Sequence, residues 1–133
     1  MDYTLDTDAM SALINGSQKV LARWKEARQH GASVMTNAIC YYEVRRGLEL
    51  PRFTRKFAAF ERLVGMSGML PLDLPALDVA SDIYQSLRMR GALIEDADVL
   101  LAGIALANDA TLVTRNLKHF ERIGGLRIEN WET

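Results

Sequence analysis

The chain has 133 residues, 49% apolar and 25% charged, with a formal net charge of −1. That balance is expected of one ordinary globular domain, able to bury a core without disulfides or a structural metal. It excludes a polyanion binder acting through overall charge, so any nucleic-acid affinity must come from a local patch. Cys40 is the only cysteine, which excludes an internal disulfide and fits a reducing cytoplasm. The opening Met-Asp-Tyr-Thr-Leu-Asp lacks the basic and apolar regions of a signal peptide. No apolar run approaches the roughly 20 residues that a membrane helix requires.

In chain order, residues 3–6 read as a strand, and Thr7 or Asp8 as the cap of a helix that ends at Asn15-Gly16. A second helix spans about residues 17–30, with Val20, Leu21 and Trp24 at helical spacing and Gly31 as its stop. Residues 33–36 form a short strand, and the next helix carries Glu43 and ends near Leu50-Pro51. Phe53, Phe57, Phe60 and Leu63 make an apolar stripe broken at Gly65–Gly68, with residues 66–69 as a loop and 69–72 as a third strand. Residues 76–90 are helical, as are 96–107 with Asp96 as the cap; 111–114 is a strand and 126–128 a last one. Strands separated by helices predict an α/β fold of three layers, α/β/α, with a short, mainly parallel central sheet. In such a fold ligands bind beyond the carboxyl ends of the strands. The tail residues Phe120, Ile123, Leu126 and Trp131 read as core and closing contacts.

Three carboxylates lie in segments that folding alone would make apolar. Asp6 ends the first strand, Glu43 shares a helical stripe with Ile39 and Gly47, and Asp98 shares one with Leu101, Ala102 and Ala105. Asp6 and Asp98 have ordinary alternatives, a strand-end turn and a helix-dipole partner; Glu43 is harder to dismiss, because a solvated Glu would sit on the opposite face and this one points inward or into a cleft. Together, inward carboxylates on separate elements fit a hard divalent cation, Mg²⁺ or Mn²⁺, which takes oxygen ligands. His30 and His119 are too few and lack the spacing for zinc.

Leu5-Asp6-Thr7, Tyr42-Glu43-Val44-Arg45-Arg46-Gly47 and the run from Asp98 to Ala105 resemble the acidic motifs of PIN-domain ribonucleases. The tail from Thr111 to Trp131 closely resembles the ending of VapC-type toxins of type II toxin–antitoxin systems. The resemblance spans nearly the whole chain and implies a PIN-like fold over residues 1–133. It implies that Asp6, Glu43 and Asp98 are metal-binding catalytic acids, with Thr7, Thr114 and Asn116 in support. Some members carry an acid at the Asn116 position, so its loss here weakens a second tightly held metal. The resemblance also implies a VapB-like antitoxin partner and a homodimer.

The chemistry so implied is metal-dependent hydrolysis of a phosphodiester in single-stranded or looped RNA, tRNA-like targets included. The cations that would hold RNA are Arg45 and Arg46, then Arg52, Arg55 and Lys56 against Glu49, with Arg115 and Lys118 on another rim. Tyr41 and Tyr42 could stack on bases, or be core. One rival is a binding module that pairs with an antitoxin at DNA and cleaves little. Another is a haloacid-dehalogenase-like phosphatase, suggested by Asp6-Thr7-Asp8, although Met10 and the lone late Lys118 fit it poorly. A receiver domain would need an acid ending the central strand, and neither Thr36 nor Leu72-Asp73 gives a convincing one.

Overall fold

In the computed structural model, which describes residues 1–48 and 51–133, the short apolar runs become five strands. They are β1 (Asp2–Leu5), β2 (Ser33–Asn37), β3 (Met69–Leu70), β4 (Ala110–Val113) and β5 (Ile128–Glu129). Every pairing is parallel, in the order β3-β2-β1-β4-β5. The helices are α1 (Thr7–Ile14), α2 (Gln18–Gln29), α3 (Ala38–Leu48), α4 (Thr54–Ser67), α5 (Leu74–Met89), α6 (Asp96–Ala107) and α7 (Leu117–Phe120). Helical crossovers between parallel strands cover both faces, which is the expected α/β/α sandwich. β4 is buried along its whole length, as a strand covered on both sides must be.

The topology positions the site. The chain moves from β1 outward to β2 and β3, then returns across the sheet to place β4 on the other side of β1. The strand order therefore reverses at β1, and it is beyond the carboxyl ends of β1 and β4 that sheets of this kind form their ligand crevice. Asp6 follows β1 directly, and its N–H extends the β1–β4 pairing to Val113 O at 3.0 Å. Thr114 follows β4, and its N–H donates to Glu129 O at 2.8 Å.

Several boundaries differ from the sequence reading. The cap of α1 is Asp6 itself, not Thr7 or Asp8, and that of α6 is Glu95, not Asp96. Helix α4 runs through Gly65 and Met66 to Ser67, and Gly68 (φ 74°) ends it, so no loop spans residues 66–69. Packing of Phe60 and Leu63 outweighs the roughly 1 kcal/mol propensity cost of a helical glycine. β3 has two residues and α5 begins earlier, at Leu74, capped by Asp73. β5 lies at Ile128–Glu129, and α7 was not expected. The expected helix end at Leu50 and the counter-charge Glu49 fall outside the described residues.

Helices α5 and α6 approach closely at Gly103, where a Cβ would stand 2.7 Å from Ala76 O and 2.8 Å from Ala80 Cβ. That contact fixes α6, and with it Asp98. At the far side Trp131 is buried and packs against Tyr3, the rings tilted at 56° with centroids 5.2 Å apart, so the tail closes over β1. Among the described residues no helix is long and apolar enough to cross a membrane.

Candidate functional site

Asp6 is 8% exposed. Its Oδ1 accepts the Ala9 N–H at 2.8 Å, and the Thr114 hydroxyl also bonds its side chain. Burial pushes the carboxyl up to about 6; Asp8 and Glu132 push the same way, and the Ala9 and Thr114 hydrogen bonds oppose.

Glu43 reaches the same region from α3, where the Thr7 hydroxyl donates to its Oε1 at 2.5 Å. The start of α3 is fixed by Asn37, which is fully buried. Asn37 Nδ2 donates to Thr4 Oγ1 at 3.0 Å and Leu5 O at 2.9 Å, while its Oδ1 accepts the Cys40 N–H at 2.9 Å. One side chain thus caps α3 and bonds it to the end of β1, holding Glu43 near Asp6. Burial pushes the Cys40 thiol up to about 12, and among the smaller influences the charges of both Asp6 and Glu43 act in that direction.

Asp98 lies in the first turn of α6, its side chain 28% exposed and its Oδ2 3.6 Å from His119 Nδ1. Burial raises its carboxyl above the ordinary value, His119 opposes, and Glu95 and Glu43 add to the rise. Glu43 acts on Asp98, and Asp6 and Glu43 both act on Cys40, while the charges that act most on Asp6 itself are Asp8 and Glu132. The oxygens of Asp6, Glu43 and Asp98 are not gathered into a cage. Among the described residues no three His, Cys, Asp or Glu side chains are grouped to hold a metal ion. Each acid is turned to its own anchor instead: Ala9 and Thr114 for Asp6, Thr7 for Glu43, His119 for Asp98. The donor set of carboxylate, hydroxyl and amide oxygens fits a hard divalent cation in chemistry.

Asn116 donates its N–H to Thr114 Oγ1 at 3.0 Å, and its Nδ2 lies 2.8 Å from His119 Nδ1. The sequence reading weighed His119 only as a zinc ligand and did not see Asn37 at all. Asn directly before a helix is a strong capping signal, so Asn37 was findable. The carboxylate of Glu132, with Oε2 buried and without a hydrogen-bond partner, arrives from the tail and carried no local signal.

The cations divide into two groups. The Arg46 guanidinium lies 5.0 Å from the ring centroid of Tyr42, which is 61% exposed, and Arg45 lies 5.9 Å from that of Phe57. Arg115, read as a rim cation, is engaged by Asp8 at 3.4 Å and Glu132 at 4.0 Å. A groove of about 210 Å³ is lined by Thr7, Glu43, Val44, Phe53 and Lys56, among others, and it opens beside Glu43.

Residues 3–126 match the PIN domain family. The chain belongs to that family. It is 29% identical over 133 residues to Ribonuclease VapC of Haemophilus influenzae (strain 86-028NP), covering 98% of each protein. It is 34% identical over 77 residues to the tRNA(fMet)-specific endonuclease VapC of Shigella flexneri and 43% over 51 residues to Ribonuclease VapC2 of Rickettsia felis. Those two alignments span 58% and 38% of the relatives' lengths. Among solved structures, VapBC2 from Rickettsia felis bound to a DNA fragment from its promoter superposes with a TM-score of 0.90 at 23% identity, over 98% of this chain and 99% of that one. DNA-bound VapBC from Salmonella typhimurium gives 0.87 at 26% identity, over 98% of each. With PIN membership the phosphatase and receiver alternatives fall. Met10, where a phosphatase motif continues, is a buried core residue.

Proposed function

We propose that the protein is a metal-dependent endoribonuclease, a single PIN-like domain over residues 1–133 and the toxin of a toxin–antitoxin pair. One observation carries the reading: buried Asp6 follows β1 at the point where the strand order reverses, with Glu43 of α3 acting on Asp98 of α6 and both Asp6 and Glu43 acting on the buried Cys40 thiol. The identity to the Haemophilus ribonuclease along its whole length supports the same activity.

In this reading Asp6, Glu43 and Asp98 hold Mg²⁺ or Mn²⁺. When bound, such a cation acidifies water and polarises a phosphoryl oxygen. Thr114 orients Asp6 and Thr7 orients Glu43, each through a hydroxyl that donates to the carboxylate. Asn116 adds a neutral amide where an acid would add charge. Arg46, with Arg45 behind it, holds substrate phosphates, and exposed Tyr42 offers a stacking face to an unpaired base. Arg115, bound to Asp8 and Glu132, keeps those acids from adding freely to the site's negative charge and contributes less to RNA binding than its position predicts. The substrate class is single-stranded or looped RNA in the cytoplasm, tRNA-like targets included. The partners are a VapB-like antitoxin and a second copy of the chain.

The test is cleavage of a structured RNA by purified, antitoxin-free protein with Mg²⁺ or Mn²⁺, beside Asp6→Asn. Wild type should cut and the variant should lose at least a hundredfold. The rival, a binding module for an antitoxin at DNA, is favoured by the likeness to DNA-bound VapBC from Salmonella typhimurium. It predicts no cleavage with either cation while antitoxin binding persists.

A further inference from the structure

We infer that the groove beside Glu43 is a nucleotide subsite, taking the base of one RNA residue next to the scissile phosphate, and that Gly47 keeps it open. The inference rests on the proposed cation site.

The groove begins at that site. Thr7 and Glu43, joined by their hydrogen bond, both line it. From there its walls follow two helices. Ser11 and Asn15 lie one and two turns beyond Thr7 along α1, and Gly47 lies one turn beyond Glu43 on α3. Ile14, Leu48 and Phe53 add apolar surface. The volume of about 210 Å³ equals roughly seven liquid waters at about 30 Å³ each, room for one planar base.

Charge and polarity select the occupant. Lys56 also lines the groove, and its Nζ lies 5.6 Å from the ring centroid of Phe53, with the Arg52 guanidinium 4.9 Å from the same centroid. Positive charge therefore stands beside the groove for an RNA phosphate. A base has apolar faces and hydrogen-bonding edges, which suit apolar walls interrupted by the Ser11 hydroxyl and the Asn15 amide. An apolar side chain of a protein partner would desolvate those groups without pairing them.

Gly47 makes the role specific. Its φ lies outside the left-handed region, and a Cβ built on it would meet nothing within 4 Å. Neither backbone conformation nor close packing demands glycine there, although glycine is the weakest helix former after proline. What the missing side chain leaves is width in the α3 wall of the groove.

The experiment compares wild type, Gly47→Ala, Gly47→Leu and Asp98→Asn by Mn²⁺ titration, metal-free melting and kcat/KM for RNA cleavage. The substrate is an oligonucleotide whose cut bond has been mapped with wild type, either intact or made abasic at the nucleotide on one side of that bond or the other. Wild type should lose about tenfold in kcat/KM on one of the two abasic RNAs, the scale of one lost base contact. Gly47→Leu, whose side chain fills the groove, should lose as much on intact RNA and cut that abasic RNA as wild type does. Its Mn²⁺ affinity should equal that of wild type and its melting should not fall. Gly47→Ala, with a single methyl, should lose little. Should Gly47→Leu fail to fold, Gly47→Gln replaces it in the same comparison. If Asp98→Asn loses Mn²⁺ but Gly47→Leu cuts intact RNA as wild type does, the subsite is overturned and the cation site stands. Loss of antitoxin binding by that fully active variant would assign the groove to the protein partner instead. If Gly47→Leu loses equally on intact and abasic RNA, the new side chain disturbs the site at large and the inference is wrong. If wild type itself neither binds Mn²⁺ nor cuts, the cation reading falls and takes this inference with it.

Discussion

Asp6→Asn removes a buried charge and leaves the local hydrogen bonding nearly intact. Asn is as good a helix cap as Asp, and its Oδ1 can still accept the Ala9 N–H. What changes is the cost of ionisation. Asp6 is 8% exposed and its carboxyl sits at about 6 against an ordinary 3.8. At roughly 1.4 kcal/mol per pH unit, ionised Asp6 costs the metal-free fold about 3 kcal/mol. The sign follows from proton binding. A carboxyl raised in the native state holds its proton more tightly there, so the penalty is absent below about 3.8 and fully developed above about 6.

Urea unfolding with a chelator present, from pH 4 to pH 8, should therefore find wild type and Asp6→Asn nearly equal at pH 4. By pH 7.5 the variant should be more stable by about 3 kcal/mol, a midpoint rise of roughly 1–2 M urea at m near 2 kcal/mol/M. The same substitution should abolish cleavage, which separates stability from function at one residue. A variant less stable than wild type at pH 7.5, or a difference that does not vary with pH, would refute the account of Asp6 as a desolvated carboxylate.

Mn²⁺ at a hundredfold excess over Kd should stabilise wild type by about 2.7 kcal/mol. Asp98→Asn should respond less in thermal melts and, free of metal, be at least as stable as wild type, because it removes a partly buried charge beside Glu43. Equal Mn²⁺ responses would remove Asp98 from the site. Arg46→Ala should weaken RNA binding and reduce the slope of log K against log salt by roughly 0.7. Its cost in stability should stay below about 1 kcal/mol, since the contact it loses is with exposed Tyr42; an unchanged salt slope would place the substrate elsewhere. Gly103→Ala sets a methyl against Ala76 O and Ala80 Cβ and should cost about 1–3 kcal/mol in urea unfolding. A neutral result would mean that α5 and α6 separate easily.

Local physics made part of this fold legible from sequence. Helix α2, read over about residues 17–30 with Gly31 as its stop, is observed at Gln18–Gln29 with Ser17 as its cap and Gly31 just beyond its end, and α6 was read with its observed bounds because a dense apolar run follows adjacent acids. Helix α7 escaped because four residues carry no periodicity to detect. Gly65 misled because its helix is decided by tertiary burial of Phe60 and Leu63. The candidate acids were conspicuous as charges in apolar segments, and the family resemblance named Thr7 and Thr114 in support, yet which acid each hydroxyl bonds was not legible. Thr7 meets Glu43 across 36 positions and Asn37 meets Thr4 across 33, distances at which no local pattern operates. Arg115 was counted as available to RNA because nothing in the sequence shows the tail folding back to bring Glu132 to it.

The placement of neutral anchors around the acids bears on how the site works. Amides and hydroxyls orient Asp6 and Glu43 without neutralising them, so burial still raises Asp6 and Asp98. Ion-pairing each acid to Arg or Lys would have lowered those carboxyls, stabilised the metal-free fold and competed with any cation for the same oxygens. The observed arrangement places the nearby guanidinium of Arg115 on Asp8 and Glu132 instead, beside the acids that would bind the ion. Desolvation of Asp6 and Asp98 is then a local instability that a cation bound at the proposed site would relieve. With Asn116 neutral, the proposed ligand set carries three negative charges, and one divalent ion already offsets most of them. A second ion would gain too little from these residues to stay, and would need the substrate phosphate itself as a ligand.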